Sequence, residues 1–165
     1  MGLFSFIKDA GEKLLGIGDA QAEEAAKAEA NDAKVAAANQ AAGDAIEGYV
    51  AKMGLEAENL DVGFDGKTGV VTVAGIADTQ ETKEKILLCC GNVKGVASVE
   101  DNMVVTNVEP DATFHTVVSG DTLSKIAKEV YGDAMKYPVI FEANKPMLSH
   151  PDKIYPGQVL RIPAQ

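Results

Sequence analysis

Residues 114–163 carry start and stop signals in an order that few folds accept. A short β-branched run, Thr116-Val117-Val118, ends at Gly120. Asp121 or Thr122 can then cap a helix by accepting from its orphan backbone N–H groups. Leu123, Ile126, Ala127 and Val130 fall at i, i+3, i+4 and i+7, which makes one apolar helix face. Asn144 and Pro146 stop a second helix after Ile140-Phe141-Glu142-Ala143. Pro156-Gly157 makes a turn into a closing strand, Val159 to Ile162. The expected order is strand, helix, helix, strand.

A second compact pattern starts at Asp44. Ile46, Tyr49, Val50 and Met53 form a helical stripe that ends at Gly54. Leu60-Asp61-Val62-Gly63-Phe64 alternates as a strand, and Asp65-Gly66-Lys67-Thr68-Gly69 is turn chemistry. Val70-Val71-Thr72-Val73-Ala74-Gly75 is the partner strand of a hairpin. Asp78 or Thr79 can cap the next helix, in which Ile86, Leu87 and Cys90 line one face and Gly91 ends the run. Val96 and Val99 lead into a third strand at Met103-Val104-Val105. The expected class is α+β, with αββαβ over residues 43–108, a connector at 109–113 and βααβ over 114–163.

Two segments precede these units. Over residues 1–18, Leu3, Phe6 or Ile7, Ala10 and Leu14 give a short amphipathic helix with Gly11 inside it. Its charges are balanced rather than basic, so docking on the protein's own body is expected rather than a membrane surface. Residues 19–42 are rich in Ala, Glu, Lys, Gln, Asn and Asp, with almost no large apolar side chains. Such a stretch forms helix readily but buries little, and is read as a helical spacer.

Charge narrows the function. The 165 residues have a net charge of −10, which argues against nucleic acid as a partner, because phosphate binding needs a basic surface. An acidic surface is compatible with attraction of cations and also simply with solubility. Cys89 and Cys90 are adjacent and have no other cysteine to pair with. They are expected to pack as small hydrophobes, one toward the core and one on the helix flank, in a reducing compartment. Residues 1–10 lack the basic start and long apolar run of a signal peptide, and Phe6 stands where a myristoylation site needs Ser or Thr. No stretch reaches transmembrane length, so a cytoplasmic protein without membrane association is expected.

No catalytic constellation is present, and no enzyme or organic cofactor is expected. His115 and His150 lack Cys or carboxylate neighbours at zinc-ligand spacing, and Ser119-Gly120-Asp121 has no nearby base to activate a nucleophile. Backbone chemistry remains. The last carbonyls of a helix lack intrahelical partners and carry the negative end of its dipole. Two apolar-striped segments end at glycine, near Ala10-Gly11 and at Cys90-Gly91. If the two ends meet, their carbonyls can converge on a large monovalent cation such as potassium, whereas a divalent ion would also demand carboxylates. The alternative is that both ends are ordinary caps satisfied by water or neighbours.

The segment His115-Thr116-Val117-Val118-Ser119-Gly120-Asp121-Thr122-Leu123, with Ile154-Tyr155-Pro156-Gly157-Gln158 further on, resembles a LysM domain. The preceding unit, with Gly75 closing a strand and Gly95-Val96 before Ser98-Val99, resembles a BON domain. Together with Met1-Gly2-Leu3-Phe4 and Lys8-Asp9-Ala10-Gly11-Glu12, the whole chain resembles the small bacterial potassium-binding proteins of the BON–LysM family. The 19–42 stretch is longer than that family's pattern. The resemblance implies a monomeric ion sensor or buffer linked to osmotic stress, binding potassium and larger monovalent cations and changing conformation on binding. It implies main-chain carbonyl ligands at Ile7, Lys8 and Ala10, then at Gly91, Val93 and Val96. A LysM domain also implies an alternative role in the cell envelope. There, loops 119–122 and 146–155 would form a shallow groove for peptidoglycan or other N-acetylglucosamine glycans.

Overall fold

A computed structural model describes residues 2–5 and 32–164. Helix α1 (Asp32–Lys52) leads to an antiparallel hairpin of β2 (Glu58–Asp65) and β3 (Val70–Thr79). The hairpin turn is built by Asp65, whose carboxylate accepts from the Lys67 N–H at 2.9 Å and the Thr68 hydroxyl at 2.8 Å. Helix α2 (Gln80–Gly91) then crosses to β4 (Ser98–Asn107), which lies parallel to β3. Strand β1 (Gly2–Ser5) pairs antiparallel with the other edge of β4, so the sheet order is β1-β4-β3-β2. The second unit follows as β5 (Thr113–Thr116), α3 (Leu123–Tyr131), a 3-10 turn (Ala134–Lys136), α4 (Tyr137–Ala143) and β6 (Val159–Ile162). Its two strands pair antiparallel. The α+β class and both element orders, αββαβ and βααβ, are those expected.

Both open choices of helix cap resolve to threonine. Thr79 Oγ1 accepts from the Thr82 N–H at 3.1 Å, and Thr122 Oγ1 accepts from the Lys125 N–H at 3.2 Å. Asp121 turns the other way: its carboxylate lies 2.9 Å from His115 Nε2 and accepts from the Val118 N–H at 3.0 Å. Those hydrogen bonds, the one with His115 foremost, hold its carboxyl below the ordinary range.

Several expectations give way to tertiary context. Residues 2–5 are a strand and not the start of a helix, because β4 would otherwise present a row of unpaired backbone groups on that edge. The remainder of the expected segment, residues 6–18, lies outside the described residues. Residues 19–31 of the expected spacer lie outside the described residues; residues 32–42 are helical turns of α1, continuous with the stripe that follows, and Ala42 is buried. Small residues matter here, since a Cβ on Gly43 would stand 2.3 Å from the Val62 carbonyl oxygen where α1 meets β2. Strand β5 ends at Thr116, the first residue of the β-branched run, and Val117 instead donates its N–H to the Gln158 carbonyl at 2.8 Å. Val130 is 43% exposed and leaves the α3 stripe, while Leu123, Ile126 and Ala127 remain buried.

Helix α2 explains how the two units join. Ile86, Leu87, Leu88, Cys89 and Cys90 are all buried, which is the mark of a helix covered on every side rather than on one. The sheet covers one side. On another lies β6, and Val159 and Met147 from the second unit belong to the same apolar cluster as the first unit's core. Both cysteines therefore face protein, not one as expected. Burial pushes the Cys90 thiol up to about 12 and raises that of Cys89 as well, so both stay protonated near neutral pH.

Candidate functional site

The loop from Gly91 to Ala97 starts at the C-terminal end of α2 and delivers the chain into β4. The last turn of α2 holds no basic residue, so no side-chain cation of its own offsets the negative end of the helix dipole. Asn92 closes the helix by donating its N–H to the Leu88 carbonyl at 3.0 Å. Val93 donates to Cys90 at 3.3 Å, and Val96 donates to the Val93 carbonyl at 3.2 Å. Gly95 turns the chain at a φ of 89°, in the left-handed region that favours glycine. The exit is pinned by Gly69 of the β2–β3 turn, whose carbonyl accepts from Ala97 N–H at 2.7 Å and Ser98 N–H at 3.4 Å. A Cβ on Gly69 would come within 2.9 Å of the Gly95 oxygen, so the two turns touch through backbone.

The carbonyls of this loop can then be followed one by one. Val93 spends one lone pair of its oxygen on Val96. Gly91 and Val96 are buried, and no backbone N–H of the described turns and loops donates to their carbonyls. A buried carbonyl without a partner costs free energy unless water, an ion or another segment meets it. Three of the expected ligand positions, Gly91, Val93 and Val96, thus share one glycine-shaped turn. Ile7, Lys8 and Ala10 lie outside the described residues. Strand β1 leaves its pairing at Ser5, opposite Ser98 and next to the end of this loop.

Among the described residues, no three His, Cys, Asp or Glu side chains converge on a point where they could hold a metal ion. The donor set that the loop offers is neutral oxygen, which suits a weakly hydrated monovalent cation better than a divalent one.

The sequence reading passed over Asn92, which lies between two of the expected ligands. The residue is 5% exposed, and its side chain meets the backbone of β6 in both directions. Asn92 Oδ1 accepts from the Val159 N–H at 3.1 Å, and Asn92 Nδ2 donates to the Val159 carbonyl at 3.1 Å. The one available signal was a buriable amide inside the apolar run from Ile86 to Val96. A second bridge between the units was also missed. Arg161 Nε donates to Glu84 Oε2 at 2.5 Å, while Glu84 Oε1 accepts from Gln80 Nε2 and from the Ala112 N–H, each at 3.0 Å.

Of the loops expected to form a glycan groove, 119–122 is held by the Asp121 contacts and by Lys125 Nζ, which donates to the Gly120 carbonyl at 2.7 Å. The other borders a cavity of about 630 Å³ lined by Met147, Ser149, Lys153, Tyr155 and Gln158 among others. No described helix is long and apolar enough to cross a membrane.

Comparison with known proteins places these two units. The BON domain family model matches residues 44–107, and the LysM domain model matches residues 115–163. Over 167 aligned positions covering the whole of both chains, the protein is 45% identical to the potassium binding protein Kbp of Escherichia coli O6:H1. An uncharacterized protein of Deinococcus radiodurans is 38% identical over 107 residues, which are 65% of this chain and 34% of that one. An esterase of Mycobacterium tuberculosis is 49% identical over only 55 residues, 33% of this chain and 12% of its own length.

Proposed function

We propose, from the premise that the chain belongs to the BON–LysM family of the potassium binding protein Kbp, that it is a cytoplasmic, non-enzymatic potassium-binding protein. In this reading potassium is the ligand, and rubidium and caesium can replace it. The ion is held by main-chain oxygens of Gly91, Val93 and Val96 from the loop after α2, and of Ile7, Lys8 and Ala10 from the segment that follows β1. A monomer binds the ion, changes conformation and acts as a sensor or buffer during osmotic stress.

The observation that carries this reading is that the buried residues Gly91 and Val96 present backbone carbonyls in the loop that leaves the negative end of α2, whose last turn holds no basic residue. A potassium ion held by carbonyls of this loop would be favoured by the helix dipole. Side-chain identity at the ligand positions matters little when the donors are backbone atoms. The register of β1 on β4 adds support, since it brings the chain to Ser5 beside the exit of the same loop.

Calorimetric titration of the purified chain with potassium and with sodium at equal ionic strength is the test. Saturable heat with potassium, rubidium and caesium, and little with sodium or lithium, is expected. Equal responses to sodium and potassium would reduce the effect to general salt and end the reading. Deleting residues 1–12 should abolish the potassium response; because it also removes β1 from the sheet, binding is measured at a temperature where circular dichroism shows both units folded. Full retention of binding would remove Ile7, Lys8 and Ala10 from the ligand set.

A further inference from the structure

Strand β6 has one edge paired with β5 and its other edge finished by two asparagine side chains. Asn144, at the end of α4, accepts from the Arg161 N–H at 2.8 Å and donates to the Arg161 carbonyl at 2.8 Å. Asn92 does the same for Val159, two residues earlier on the strand. Each amide thus imitates a neighbouring strand residue and blocks an edge that would otherwise expose backbone donors and acceptors. The two differ in origin. Asn144 belongs to the LysM unit, whereas Asn92 reaches across from the BON unit, out of the loop that carries Gly91 and Val93.

We propose that Asn92 is a positioning residue for the candidate ion loop: its clamp on Val159 lets the LysM strand hold the adjoining Gly91 carbonyl, and the start of the turn that leads to Val93, in their binding geometry. The inference rests on the potassium reading above. The peptide plane on the N-terminal side of Asn92 carries the Gly91 oxygen, the plane on its other side leads into Val93, and the Asn92 side chain has little freedom once both hydrogen bonds are made. Fixing that side chain restricts rotation of the peptide planes on either side, and with it the direction in which their oxygens point. Linkage then works in both directions. If docked β6 favours the binding geometry of the loop, a bound ion must favour docked β6 by the same factor.

The matched asparagines supply the experiment. In the full chain, Asn92→Ala and Asn144→Ala each remove one side-chain amide from the same edge of β6. Both variants are measured at a temperature where circular dichroism shows them folded. Two quantities are read: potassium affinity by calorimetry, and hydrogen exchange of the Val159 amide in potassium against sodium. Wild-type protein should show slower Val159 exchange in potassium. Asn92→Ala should lose about tenfold in affinity, a coupling of the size typical between linked sites, and its Val159 exchange should no longer depend on potassium. Asn144→Ala should keep its affinity within about twofold, as expected for a substitution outside the coupled pair. Unchanged affinity in folded Asn92→Ala, or an equal loss in Asn144→Ala, overturns the clamp while leaving the potassium site intact. Absence of selective potassium binding in the wild type would bring down the site itself, and the clamp with it.

Discussion

Gly95 and Gly120 share the same backbone angle, a φ of 89°, in two different units. A side chain at either position must adopt a conformation that L residues rarely take, at a cost of about 1–3 kcal/mol. Their surroundings separate the consequences. Gly120 has open space where a Cβ would go, and it lies in the LysM unit's first loop. Gly95 sits in the turn that aims the carbonyls of loop 91–97. Gly95→Ala and Gly120→Ala should therefore show similar losses in urea denaturation, while only Gly95→Ala lowers potassium affinity in the folded state. Equal affinity in the two variants would mean that Gly95 serves only to end the loop.

At the scale of elements, the contact between α2 and β6 joins the two units more than any covalent connector does. Its polar part is the Glu84–Arg161 pair, with side chains only 2% and 9% exposed. Removing one member of such a pair strands the other charge away from water. Arg161→Met should cost about 3–5 kcal/mol for that reason, measured by chemical denaturation of the full chain. Glu84 keeps its bonds from Gln80 and the Ala112 N–H in this variant, which places the expected loss toward the lower end. A change below about 1 kcal/mol, the worth of an exposed pair, would mean that the carboxylate reaches solvent. The helix was legible from its cap, its apolar run and its terminal glycine. Its complete burial was not, because periodicity reports one buried face and here a second domain covers another.

On the scale of the whole molecule, the LysM residues Met147 and Val159 lie within the BON core cluster. Domains that share a core lose stability together, so the chain should melt in one transition with equal calorimetric and van't Hoff enthalpies. Two resolved transitions in a calorimetric scan would show instead that the two units unfold independently.

What the sequence determined by itself is the order of the main elements within each of the two units. Caps at 78–79 and at 121–122, the Asp65 turn, Gly91 as helix end and Pro156-Gly157 before β6 all act within a few residues, so their meaning is written locally, although the choice of threonine over aspartate at each cap was not. Of the loop residues, Gly91 came from that same local logic as a helix end, whereas Val93 and Val96 came only from the family resemblance. Tertiary structure alone decided the rest. The pairing of Asn92 with Val159 spans 67 residues and that of Glu84 with Arg161 spans 77. Each involves a polar side chain that reads as surface until a partner strand arrives to desolvate it. The same holds for residues 2–5, whose strand conformation exists because β4 offers an edge. Local patterns fix backbone conformation where nearby atoms supply the energy, and single polar residues acquire a role only when the fold brings a distant partner to them.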